Sequence, residues 1–238
     1  MFTHKTFLIV IATFFIAAVS HAQKNITVGT RDTVYSNTLH ENRQIWVHAP
    51  ENNSPDGIYV QQRCPVIYVL DGDDHFKAVV AMAERLSQGG PNIMLPPVIV
   101  VGILNTDRNR DLTPTHVTAA AMMDSESVAR SGGGDKFISF LEKELIPHID
   151  SLYPTAPYRL LMGHSLGGLM TIHTLLNHTI AFNAYVAIDP SVMWDDQKLV
   201  KQAQSTLGKN SFAGRSLYLA VANNIDNGMA PTTDTTML

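Results

Sequence analysis

Apolar runs and four-residue apolar repeats alternate along the chain, and the alternation predicts its elements. Pro65-Val66-Ile67-Tyr68-Val69-Leu70 and Pro97-Val98-Ile99-Val100-Val101-Gly102-Ile103-Leu104 are continuous apolar runs, as in strands buried on both faces of a parallel sheet. Shorter runs at Tyr158 to Met162, Tyr185 to Ile188 and Ser216 to Ala222 predict three more strands. Upstream, Gln23 to Leu39 and Arg43 to Ala49 are rich in Ile, Val, Thr and Tyr. They predict two early strands joined by a turn at Leu39 to Asn42, and Glu51 to Gly57 is a loop of turn formers. Ala78 to Leu86, Leu166 to Asn177 and a segment through Lys198 to Leu207 read as helices. Phe137, Leu141, Leu145 and Ile149 recur every four residues and predict an amphipathic helix with Asp135 as its N-cap. Asn105 to Gly134 is a long irregular stretch of the kind that carries function. Strand and helix in alternation predict an α/β fold, a mostly parallel, doubly wound sheet.

The first residues stand outside this pattern. Lys5, the apolar stretch Phe7 to Val19 and the small residues of Ser20-His21-Ala22 read as a signal peptide, residues 1–22, cleaved before Gln23. Roughly 13 apolar residues fall short of the ~20 that span a bilayer. The domain is then 23–238, exported, with no membrane anchor after cleavage.

Composition narrows the class. With 45% hydrophobic and 16% charged residues the chain can build a core. A formal net charge of −4 gives no footprint for nucleic acid. Cys64 is the sole cysteine, so there is no internal disulfide and no cysteine-rich metal site. It reads as a small buried hydrophobe, a free reactive thiol being the alternative. Export with one cysteine fits a bacterial periplasm.

Gly163-His164-Ser165-Leu166-Gly167, followed by Gly168, is the chemical motif. This is G-x-S-x-G between a short strand and an apolar helix, a nucleophile elbow that exposes the serine hydroxyl on a strained turn. Gly163 and Gly167 are positions where a side chain would collide with the neighbouring strand or helix. The Leu166 amide, at the helix N-terminus, points toward a developing oxyanion. The strand ending in Leu70-Asp71-Gly72-Asp73 offers the second donor, the Asp73 amide; the alternative is an ordinary Asp-Gly turn. His164, inside the elbow, reads as structural.

These residues resemble the esterase D-like family of the α/β-hydrolase superfamily, which includes siderophore and feruloyl esterases. The matching residues are Pro65 to Gly72, Gly163 to Gly168, Asp189-Pro190-Ser191 with Trp194, and Asn105 to Pro114. The resemblance implies serine hydrolysis of small-molecule esters with no metal or organic cofactor, and places Trp194 at the substrate wall. Arg108 and Arg110 either line that wall or pair with Asp111 and hold the loop. In the superfamily the order is Ser, then acid, then His. Asp226 takes the usual acid position, with Asp189 and Asp234 as alternatives. After Ser165 come only His173 and His178, and His173 lies about 12 Å along the helix from the serine. His75, near the oxyanion loop, would break the family order. Against that family pattern the final strand, the last helix and the histidine-bearing loop are missing, so the fold is expected to be C-terminally incomplete, with an exposed sheet edge.

The expected function is an exported serine hydrolase that cleaves carboxylic esters through an acyl-enzyme on Ser165, impaired by the missing histidine. An acyltransferase on the same scaffold and a non-catalytic hydrolase are the alternatives.

Overall fold

A computed structural model describes residues 27–50, 62–88, 93–120, 123–178, 181–208 and 212–222. The signal segment, the loop from Glu51 to Gly57, Asp226 and Asp234 lie outside the described residues.

The strands are β1 (Thr30–Ser36), β2 (Glu41–His48), β3 (Cys64–Val69), β4 (Ile99–Ile103), β5 (Thr155–His164), β6 (Ala184–Ile188) and β7 (Ser216–Ala220). They form one sheet in the order β1-β2-β4-β3-β5-β6-β7. The β1–β2 and β2–β4 pairs are antiparallel, and every other neighbouring pair is parallel. β4 is buried at every position, as its unbroken apolar run requires. β2 alternates, with Arg43, Ile45 and Val47 facing the core. The turn between β1 and β2 falls at residues 37–40, two earlier than predicted.

The helices are α1 (Gly72–Ser87), α2 (Arg108–Asp111), α3 (Ser125–Ala129), α4 (Gly134–Phe140), α5 (Ile146–Leu152), α6 (Leu166–Asn177) and α7 (Trp194–Thr206). α1 packs on one face of the sheet through Phe76, Val80 and Ala83; α4, α5 and α6 build the larger core on the other. Helices on both faces are the doubly wound arrangement of the α/β-hydrolase fold. Among the described residues no helix is long and apolar enough to cross a membrane.

Three local features differ from expectation. α1 starts at Gly72 rather than Ala78. The stretch from Asn105 to Gly134 contains the short helices α2 and α3. Gly133, not Asp135, is the N-cap of α4. A π turn at Leu141–Leu145 joins α4 to α5. An apolar residue every four positions drifts by about 40° per step around an α-helix. The wider π turn offsets that drift, and Phe137, Leu141, Leu145 and Ile149 are all buried.

Arg43 is a charge in this core. It is 1% exposed, donates to Asp111 Oδ2 (2.6 Å) and Glu41 Oε1 (2.8 Å), and lies over the rings of Phe137 and Phe140. Through Asp111 it anchors α2 to the sheet. At the other side, β7 pairs with β6 and with no other described strand, and Leu217, Tyr218 and Leu219 are exposed.

Candidate active site

Parallel pairing of β3 with β5 sets Val69 opposite Met162 and brings the ends of both strands together. α1 follows β3 and α6 follows β5, so two helix N-termini, each with unpaired amides, meet at one end of the sheet.

The turn from β5 into α6 is made by one residue. Ser165 sits there at φ 56°, ψ −118°, a positive-φ conformation that costs a residue with a side chain on the order of 1–3 kcal/mol. Backbone bonds hold it. Its N–H donates to Ile188 O (3.0 Å), and its carbonyl accepts from Leu169 N–H (2.9 Å) and Ser191 N–H (3.0 Å). A Cβ on Gly163 would lie 2.3 Å from the carbonyl carbon and oxygen of Gly167, so only glycine fits. A Cβ on Gly167 would meet Asp71 Oδ2 at 3.3 Å and Leu70 Cβ at 3.4 Å, a tight contact rather than a collision. The clash predicted at both glycines belongs to Gly163.

Ser165 opens into a cleft of ≈ 770 Å³, shared with Leu166, Ser191, Trp194, Arg108 and His116. Its Oγ lies 3.1 Å from Ser191 Oγ. Ser191 stands in the Asp189-Pro190-Ser191 stretch, and no local sequence signal marks it as a neighbour of Ser165. Trp194 is buried in the wall, its Nε1 donating to Thr115 O (3.1 Å) and Oγ1 (3.2 Å). Asp73 lies in the first turn of α1, its Oδ1 accepting from Asn105 Nδ2 (3.1 Å).

The two arginines part company. Arg110 leaves the cleft: it donates to Glu41 Oε1 (2.6 Å) and Oε2 (3.0 Å) and to Asp111 Oδ1 (2.7 Å). Those bonds to Glu41 first, against the cost of burial, raise the Arg110 pKa. Arg108 stays on the cleft wall but pairs with Asp71, not Asp111. The contact is bidentate, Nε to Oδ1 at 2.7 Å and Nη2 to Oδ2 at 3.0 Å. Asp71 itself is buried at a left-handed φ of 52° and also accepts from Asn105 Nδ2 (2.7 Å).

Asp189 Oδ1 accepts from the Ala222 amide at 3.2 Å, at the end of β7. No described histidine is hydrogen-bonded to Ser165. His75 and His164 pack edge to face, 5.7 Å between centroids. His116 borders the cleft with Nδ1 turned to Ser131. His173 and His178 face Asp135 at the far end of α6. Burial lowers the His173 pKa against the opposing pull of Asp135. Among the described residues the one group of His, Cys, Asp and Glu with metal-ligand spacing is Asp135, His173 and His178, away from Ser165.

Residues 36–228 match the family model described as "Putative esterase". The chain belongs to that esterase family. One family relative is the ferri-bacillibactin esterase BesA of Bacillus subtilis, 30% identical over 68% of this chain and 58% of its own length. A siderophore enterobactin esterase of Emericella nidulans is 27% identical over 68% of this chain and 57% of its own. The chain thus spans under two thirds of the length of these curated relatives. Among solved structures, an IroE-like serine hydrolase from Shewanella oneidensis superposes with a TM-score of 0.76 at 34% identity, covering 82% of this chain and 61% of that one.

Proposed function

We propose that the cleft is the acyl site of an exported serine hydrolase that cleaves small-molecule carboxylic esters of the siderophore type. The observation that carries this is the elbow: Ser165, strained at φ 56° on a single-residue turn, presents its hydroxyl to a ≈ 770 Å³ cleft. Ser165 Oγ attacks the ester carbonyl, the alkoxide leaves, and water releases the acyl group. The amides of Leu166 and Asp73, each in the first turn of a helix at this end of the sheet, hold the oxyanion. The names of the relatives support the substrate class.

Among the described residues no histidine is hydrogen-bonded to Ser165 as its base. Each described histidine after β1 is turned to another partner or stands away from the serine. Loss of a triad member leaves roughly 10³–10⁴-fold catalysis over water from oxyanion stabilisation and binding. Added imidazole takes the place of a base that the described residues do not set beside Ser165. The test is hydrolysis of a p-nitrophenyl ester and labelling by a fluorophosphonate, with and without imidazole. Both are expected to rise with imidazole in the native chain; in Ser165→Ala labelling is lost and hydrolysis gains no more from imidazole than the solution reaction does. An unlabelled Ser165 at high imidazole, on folded protein, overturns the reading.

A further inference from the structure

We propose that Asp135, His173 and His178 form a binding site for a divalent first-row transition-metal ion of the zinc class, separate from the catalytic cleft. The three residues come from two elements. Asp135 lies in the first turn of α4, and His173 and His178 lie on the last turns and at the C-cap of α6. Asp135 Oδ1 is 2.7 Å from His173 Nε2 and 3.7 Å from His178 Nε2. Tetrahedral zinc with bonds of about 2.0–2.2 Å sets its ligand atoms roughly 3.3–3.5 Å apart. The observed set brackets that spacing, and the exposed Asp135 carboxylate can rotate to meet it.

The orientation of the His178 ring is a second observation. Both Nε2 atoms converge on one carboxylate oxygen, which is more donors than a single hydrogen bond requires. Both Nδ1 atoms face outward to polar partners: Glu142 Oε1 lies 3.5 Å from His178 Nδ1, and the Asn177 side-chain amide lies 3.1 Å from His173 Nδ1. A metal-bound imidazole characteristically donates its other N–H to a carboxylate or amide oxygen, which fixes the tautomer. Glu142 fills this role for His178. At His173 the Asn177 Nδ2 also donates to the His173 carbonyl (3.0 Å) and the Asn177 Oδ1 accepts from Gln202 Nε2 (2.7 Å), so metal binding there requires the Asn177 amide to move off Nδ1. A cavity of ≈ 180 Å³ adjoins Asp135 and His173 and leaves room for water in the fourth coordination position. Lys198 on its wall is turned to Asp195 at 3.4 Å. Two imidazoles and one carboxylate suit zinc, nickel or copper better than magnesium or calcium. A bound ion would tie α4 to the helix that begins at the elbow.

The experiment is calorimetric titration of the untagged full chain with Zn(II), with thermal melts in zinc and in chelator. One equivalent is expected to bind and to raise the Tm. His178→Ala and Asp135→Asn each weaken binding by at least about tenfold and remove the shift in Tm. Asp135 is exposed, so its variant keeps the test open if His178→Ala folds poorly. His148→Ala removes the separate His148–Asp32 pair and leaves zinc affinity within about twofold. Absence of saturable binding, binding that survives both substitutions, or equal loss in His148→Ala overturns the proposal.

Discussion

Replacing Gly163 by alanine places a methyl carbon where none fits. The new Cβ would stand 2.3 Å from the carbonyl carbon and oxygen of Gly167, against an ordinary contact distance that begins at 3.4 Å. The end of β5 and the first turn of α6 must therefore separate by about 1 Å, since both sides of the contact are backbone. Overpacking of this kind costs about 1–3 kcal/mol, a fall in Tm of roughly 2–12 °C for a domain of this size. Ser165 lies between the two displaced segments, and a 1 Å misplacement of a reacting group costs about 10²-fold in rate. Gly167→Ala is the matched control. Its Cβ meets Asp71 Oδ2 at 3.3 Å, which needs a shift of a few tenths of an ångström, and alanine gains up to about 1 kcal/mol over glycine in a helix interior. Fluorophosphonate labelling of Ser165 at fixed imidazole, followed by intact mass, measures the first effect; melts by circular dichroism measure the second. Labelling of Gly163→Ala at the native rate, or equal losses in the two variants, would refute this account of the elbow.

Four further outcomes are expected. Ser191→Ala removes the neighbour 3.1 Å from Ser165 Oγ and should slow labelling about threefold to tenfold, the worth of one hydrogen bond, with little change in Tm. Arg43→Met removes the buried partner shared by Asp111 and Glu41; with Arg110 still bound to both carboxylates, a loss of about 3 kcal/mol is expected in urea unfolding. The Glu41 pKa is lowered by its Arg110 hydrogen bonds, with burial opposing and Arg43 assisting. The folded state therefore favours the ionised form, so this stability is present above the ordinary glutamate range and is lost as pH falls through the depressed pKa; Glu41→Gln should flatten that acid limb. His116→Ala should raise the KM of the imidazole-assisted reaction and leave kcat within about threefold, because its Nδ1 is committed to Ser131; abolition of Ser165-dependent turnover would make His116 the base instead.

The sheet and the elbow were legible because both are local patterns. Unbroken apolar runs mark β3 and β4, and the spacing of Gly163, Ser165 and Gly167 marks the turn. Side-chain pairing was not legible. Arg108 has Asp111 three residues away, yet Arg43 and Arg110 take Asp111 and Arg108 reaches back 37 positions to Asp71. Which carboxylate an arginine finds depends on how the sheet stacks its strands, and no short-range rule contains that. Ser191 is hidden for the same reason: it meets Ser165 across 26 positions, where two parallel strands end. Asp135 carries a cap-like local signal, but the chain starts the helix two residues earlier, with Gly133 as N-cap, and commits the Asp135 side chain to His173.

The Arg108–Asp71 clamp bears on how substrate preference in this scaffold could change. A guanidinium already neutralised by a buried carboxylate offers an approaching ester hydrogen-bond directions but little net charge. Preference for anionic esters is then latent rather than expressed. Loss of the charge at position 71 would release it in one step, without adding a residue to the cleft, though at the cost of the contact that holds α2 against the start of α1. Divergence toward acidic substrates would thus begin beneath the pocket wall, at a side chain the substrate never touches.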